Sequence, residues 1–123
     1  MEEHQKKVII FDDDEDILSV CTAILEQQGW KVFTFTDCND IIQKVSKIHP
    51  DIIFMDNWIP DTGGVFATQV LKNSETYKHI PVIYFSANND INSLALRAGA
   101  ETFLAKPFEI ADLTRVINDA LAN

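Results

Sequence analysis

No stretch of this sequence is long and apolar enough to span a bilayer, and the opening Met-Glu-Glu-His-Gln-Lys-Lys lacks the apolar core of a secretory signal. A cytoplasmic protein with no membrane insertion is expected. Cysteine is nearly missing. Cys21 and Cys38 stand 17 residues apart with no Cys-x-x-Cys pair and no Cys/His cluster, which argues against a disulfide framework or a zinc site and leaves two reduced, buried or half-buried thiols. With only four glycines and four prolines there is no linker-like or low-complexity block, and no fixed-period repeat is present. Positive charge is short as well: ten Lys and Arg face nineteen Asp and Glu, a formal net charge of −9. Such a surface repels nucleic acid and anionic membranes and suits a cationic ligand or a basic partner, although solubility alone also accounts for acidity.

What is present is an ordinary globular mixture, 46% apolar and 24% charged over 123 residues, enough for one packed core. A single domain over residues 1–123, with no room for an output domain, is expected. Short apolar runs alternate with helical patterns. The runs are Lys7-Val-Ile-Ile-Phe11, residues 31–35, Asp51-Ile-Ile-Phe-Met55, Pro81-Val-Ile-Tyr-Phe85 and Glu101-Thr-Phe-Leu-Ala105. Between the first two, residues 14–28 place Ile17, Leu18, Cys21, Ile24 and Leu25 on one helical face and stop at Gly29. A second helix, capped by Asp37 or Asn39, runs through Ile41, Ile42, Val45 and Ile48 to Pro50. Turn chemistry in Pro60-Asp-Thr-Gly-Gly64 precedes a third through Val65, Phe66, Val70 and Leu71, and further helices are predicted over 89–98 and 110–121. Five strands alternating with five helices imply an α/β fold: right-handed crossovers and a parallel sheet covered on both faces, which is why the strands are apolar throughout rather than alternating.

In that arrangement Asp12, Asp13, Asp56, Ser86 and Lys106 all fall at the carboxyl ends of strands, the edge where open α/β sheets bind ligands. Asp12-Asp13-Asp14-Glu15-Asp16 puts five acids at a helix start. Helix capping and the macrodipole account for one or two of them; five exceed that need, and at least two are expected to bind a hard cation. The 1-3-5 spacing of Asp12, Asp14 and Asp16 resembles a calcium loop, but Ile17 and Ala23 stand where that loop needs Gly and Glu. Asp56 alone reads as a turn former more readily than as a nucleophile. Beside Asp13 on a neighbouring strand it belongs to a crowd of carboxylates that repel unless a divalent cation such as magnesium neutralises them, and a carboxylate so placed can attack a phosphoryl donor. Ser86 could cap the next helix and Lys106 could be a solvated cation; together they supply the hydroxyl and ammonium that a phosphoryl group would need. His4, His49 and His79 are scattered and carry no assigned role.

These residues resemble a response-regulator receiver domain, a flavodoxin-like (βα)5 three-layer sandwich with strand order 2-1-3-4-5. The resemblance spans essentially the whole chain. It rests on Phe11-Asp12-Asp13, on Asp56 followed by Pro60 and Gly64, on Ser86-Ala87, on Lys106-Pro107-Phe108, and on the intervals of 43, 30 and 20 residues from Asp13 to Asp56, Ser86 and Lys106. It implies a phosphoacceptor at Asp56 and a magnesium ion, for which manganese can substitute, held by Asp12, Asp13, Asp56 and the backbone carbonyl of Trp58. It further implies Ser86 as a switch hydroxyl that moves to the phosphoryl group, Lys106 as the ionic partner of that group, Phe103 as an aromatic rotamer switch where composition alone would read plain core, and a cis Lys106-Pro107 peptide.

By the same resemblance the phosphoryl donor is a sensor histidine kinase or phosphotransfer protein, and a downstream target reads the face built from residues 89–98, Phe103 and residues 108–117. The chain would catalyse only its own phosphorylation and dephosphorylation, as a monomer or as a dimer formed on phosphorylation. Trp58 and Asn88 occupy positions that tune how water reaches the phosphoryl group, and Gly63-Gly64 replaces the family's more usual Asp-Gly. Two other readings stand beside this one: a receiver segment of a longer regulator or hybrid kinase, and an aspartyl-phosphate phosphohydrolase of the haloacid dehalogenase type using Asp12 and Asp14. The latter lacks a Thr or Val at Asp16 and room for a cap.

Overall fold

A computed structural model of the chain describes residues 5–56, 63–86 and 99–122. Among them are five strands, β1 (Lys7–Phe11), β2 (Lys31–Phe35), β3 (Ile52–Asp56), β4 (Val82–Ser86) and β5 (Thr102–Ala105), and four helices, α1 (Glu15–Gln27), α2 (Ile41–Ile48), α3 (Gly64–Lys72) and α4 (Ile110–Leu121). The helix expected over 89–98 lies outside the described residues. All strand pairs are parallel, in the order β2-β1-β3-β4-β5. That is the flavodoxin-like order the resemblance implied.

Alternate side chains of the same strands feed two cores. Ile9, Phe11, Ile53, Met55, Val82 and Tyr84 pack against α2 and α3 through Ile41, Val45, Ala67 and Leu71. Val8, Ile10, Ile52, Phe54, Ile83 and Phe85 pack against α1 and α4 through Leu18, Leu25, Leu113 and Ile117. Covering both faces is what permits the unbroken apolar runs, and each buried Ile or Phe contributes about 1.5–3 kcal/mol. Cys21 and Cys38 are both free and buried, one in each core.

Local chemistry fixes where the elements start and stop. Asp14 caps α1, its Oδ1 accepting from the amides of Asp16 at 2.9 Å and Ile17 at 3.4 Å. At the other end Gly29 takes φ +92°, its amide donates to Glu26 O and that of Trp30 to Leu25 O, the paired bonds of a Schellman ending. Two expectations need correction. Neither Asp37 nor Asn39 caps α2: Asp40 precedes the helix in the left-handed region, while the Asp37 carboxylate accepts from the Asn39 amide and from Lys44. And β3 and β4 each run one residue further than their apolar stretches, so Asp56 and Ser86 are the last paired residues of their strands, opposite Phe85 and Ala105. Polarity marked the strand ends too early because ladder hydrogen bonds do not depend on the side chain.

Candidate functional site

The site forms where adjacent strands run out. Phe11 is in register with Met55 across the β1–β3 pair, so the residues that follow, Asp12 and Asp56, emerge side by side. Asp12 extends the ladder by one more bond, its amide donating to Phe35 O at 3.1 Å, and its Oδ1 accepts from the Asp14 amide at 2.9 Å. Lys106 follows the last residue of β5, and its Nζ donates to Asp12 Oδ2 at 2.7 Å and to Asp56 Oδ1 at 3.1 Å. The Asp12 side chain is fully buried, that of Asp56 nearly so, and that of Lys106 partly. Beneath the ammonium lies the Phe85 ring, 4.5 Å from Nζ to centroid.

Carboxylate oxygens of Asp12, Asp13 and Asp56 lie within 4.8 Å of one another, with Asp13 exposed and the other two buried. Three carboxylates around one lysine leave an excess of negative charge in a partly desolvated place. Burial, then the neighbouring Asp12 charge, pushes the Asp56 carboxyl up to about 6, against the pull of Lys106. Burial also raises Asp12, opposed by its hydrogen bonds with Lys106 and the Asp14 amide. For Lys106 burial disfavours the charge, but the Asp12 hydrogen bond and the Asp56 charge outweigh it and hold the ammonium above its ordinary value. A hard divalent cation with oxygen ligands fits this donor set: it would be met by anionic oxygens alone and would relieve their mutual repulsion.

The remaining sequence-predicted residues fall as follows. Phe103 is on β5 with 38% of its surface exposed, so it is not plain core. Lys106-Pro107 is cis. Gly64 is the buried first residue of α3, its carbonyl accepting from Thr68 Oγ1 at 2.8 Å, while the positive φ of that turn, +83°, belongs to Gly63. Trp58, Pro60, Asn88 and the Ser86 side chain lie outside the described part. Asp14 is the helix cap, and Asp13 rather than Asp14 completes the carboxylate group, which leaves the Asp12/Asp14 phosphohydrolase pair without a geometric basis. Sequence reasoning missed Phe85, whose position just before Ser86 was its only signal within an apolar run.

Residues 8–118 match the family described as the response regulator receiver domain. The chain belongs to this family. Among relatives of this receiver domain, protein PilG of Pseudomonas aeruginosa is 31% identical over 113 residues, covering 90% of this chain and 84% of PilG. The CAI-1 autoinducer sensor kinase/phosphatase CqsS of Vibrio cholerae is 32% identical over 122 residues, but the match covers 97% of this chain and only 17% of CqsS. In three dimensions the receiver domain of the Pseudomonas aeruginosa sensor histidine kinase PA1611 superposes with a TM-score of 0.88 at 26% identity, covering 98% of this chain and all of that one; it carries a magnesium ion coordinated in its active-site cleft. The receiver domain is a signalling domain of two-component systems, and no helix among its described residues is long and apolar enough to cross a membrane.

Proposed function

We propose that this receiver domain signals from the cytoplasm by accepting a phosphoryl group on Asp56 in a magnesium-dependent reaction. The observation that carries the reading is the Asp12–Asp13–Asp56 carboxylate group with Lys106 tied into it. Asp12, Asp13, Asp56 and the Trp58 carbonyl would hold the magnesium ion, or manganese in its place; bound there, the ion supplies charge neutralisation for the oxygens of the transferring group. A carboxylate oxygen of Asp56 attacks the phosphorus of a phosphohistidine on a sensor histidine kinase or phosphotransfer protein. The new O–P bond forms as the P–N bond breaks, and the imidazole keeps the electron pair. Lys106 takes one phosphoryl oxygen and the Ser86 hydroxyl another. Pro60, Gly64 and Pro107 shape the surrounding loops, and Trp58 and Asn88 govern access of water.

The signal leaves through β5. Drawing Ser86 toward the phosphoryl group would free space into which the exposed Phe103 ring turns, and the face it forms with the start of α4, where Ile110 is 59% exposed, would change shape for a downstream target protein; residues 89–98, assigned to that face by the resemblance, lie outside the described residues. The net charge of −9 favours protein partners over nucleic acid. The module acts as one domain over residues 1–123, as a monomer or as a dimer formed on phosphorylation.

Intact mass after incubation with a small-molecule phosphodonor tests this. A magnesium-dependent gain of one phosphoryl group, lost in Asp56→Asn, is expected; no gain in the wild type with magnesium bound would overturn it. A second reading, a receiver segment of a hybrid kinase, is supported by the CqsS match, which spans a sixth of that protein. The size of the native polypeptide in cell extract separates the two.

A further inference from the structure

Beside the sheet's first edge runs a groove of about 400 Å3 between α1 and β2, lined by Glu15, Leu18, Thr22, Ala23, Glu26 and Thr34. Its two walls differ in chemistry. On the α1 side, exposed carboxylates at Glu15 and Glu26 bracket a floor of Leu18 and Ala23. The other wall is the terminal strand of the sheet. Along β2 the Lys31 amide donates to Lys6 O and the Phe35 carbonyl accepts from the Asp12 amide, so residues 31, 33 and 35 direct their main-chain groups to β1. By the alternation of a parallel ladder, the amides and carbonyls of Val32 and Thr34 point the other way, to the open side. Lys31 does not enter the groove: its Nζ sits 5.6 Å from the Phe33 ring, on the opposite face of the strand from Val32 and Thr34.

We propose that this groove is a docking site for an extended basic segment of a partner protein, which adds a strand to β2 and sets two cationic side chains against Glu15 and Glu26. Main-chain bonds to Val32 and Thr34 supply attachment, as in strand addition generally, and the carboxylates supply selection. Helix geometry places Glu15 and Glu26 about 16 Å apart along the α1 axis. Lysines four residues apart on one face of a strand lie about 13 Å apart, and their flexible stems cover the remainder. The residue midway between them faces the Leu18 and Ala23 floor and is small and apolar. The site is remote in sequence from the segments assigned to the Phe103 face.

The test uses the 15N-labelled chain and the peptide acetyl-Thr-Lys-Thr-Val-Thr-Lys-Thr-amide at low ionic strength. Shift changes centred on the Val32 and Thr34 amides are expected. Glu15→Gln with Glu26→Gln should weaken binding about fivefold, as two exposed ion pairs would. N-methylation of those peptide nitrogens that face β2 should abolish binding, while methylation of the alternate nitrogens should leave it intact; this control alters the ligand and not the protein. Any of four results overturns the proposal: no change at Val32 and Thr34 at millimolar peptide, equal binding of the peptide with Glu in place of both Lys, insensitivity to N-methylation, or changes confined to residues 13–16. Preference for a helical peptide of like charge, or changes at Val32 and Thr34 that follow protein concentration with no peptide present, would assign the groove to a helix or to a second copy and would equally overturn it.

Discussion

Lys106 Nζ lies 2.7 Å from Asp12 Oδ2, joining residues 94 positions apart in the chain at the point where the sheet ends. The same ammonium is 3.1 Å from Asp56, so one cation serves two buried carboxylates. Lys106→Ala leaves both without it. A loss of about 3 kcal/mol is expected for uncompensated buried charge. Magnesium should restore part of that loss, because it neutralises the same oxygens. Urea unfolding with and without the metal measures both effects; a loss that magnesium leaves untouched would separate the lysine from the metal site.

Asp56 titrates near 6 in the folded protein and near 3.8 when unfolded. Between those values the native state binds the proton more readily, so without metal the carboxyl favours folding most at the acid end and this contribution is lost as pH rises through 6. Asp56→Asn removes that dependence. Comparison of the two proteins from pH 4 to pH 7 in metal-free buffer is expected to show their stabilities diverging by on the order of 2–3 kcal/mol.

Protonation of the same group competes with the cation. Magnesium affinity should therefore fall below pH 6, approaching roughly tenfold per pH unit. Calorimetric titration at two pH values reads it, and an affinity independent of pH between 5 and 7 would contradict the raised carboxyl.

Asp13 and Asp14 are adjacent but do different things. Asp14→Ala removes the cap of α1 and should cost about 1 kcal/mol while leaving phosphorylation of Asp56 intact. Asp13→Asn should behave inversely, with stability nearly unchanged and magnesium binding lost. Thermal melts beside metal titrations distinguish the pair.

Trp58 follows Asp56, the proposed acceptor, by two residues, and a large ring there is expected to keep water from the phosphoryl group. Trp58→Ala should shorten the lifetime of the phosphoaspartate several-fold. An unchanged dephosphorylation rate would remove the shielding role.

Much of this was legible in the sequence because the fold puts its signals in plain places. Apolar runs bounded by helical periodicity marked all five strands, and the polar residues after four of them, Asp12, Asp56, Ser86 and Lys106, were read as one edge. Asp56 and Ser86 show where such reading slips: their strands continue through them, since backbone pairing is blind to side-chain polarity. The start of α2 was misplaced because Asp37 has cap chemistry but uses it on a turn, its carboxylate accepting from the Asn39 amide. The contact between Lys106 and Asp12, and the Phe85 ring beneath the ammonium, depend on three-dimensional closure and carry no local pattern.

The strand order has one more outcome. Asp12 and Lys106 directly follow β1 and β5, Asp56 ends β3, and no two of them are brought together by any hairpin or single turn. A nascent or damaged chain that has assembled only part of its sheet owns the acceptor residue without the pocket that makes it reactive. The carboxylate group and its lysine come together only once strands from both halves of the chain have paired, so the site is a property of the whole sheet and of no fragment of it.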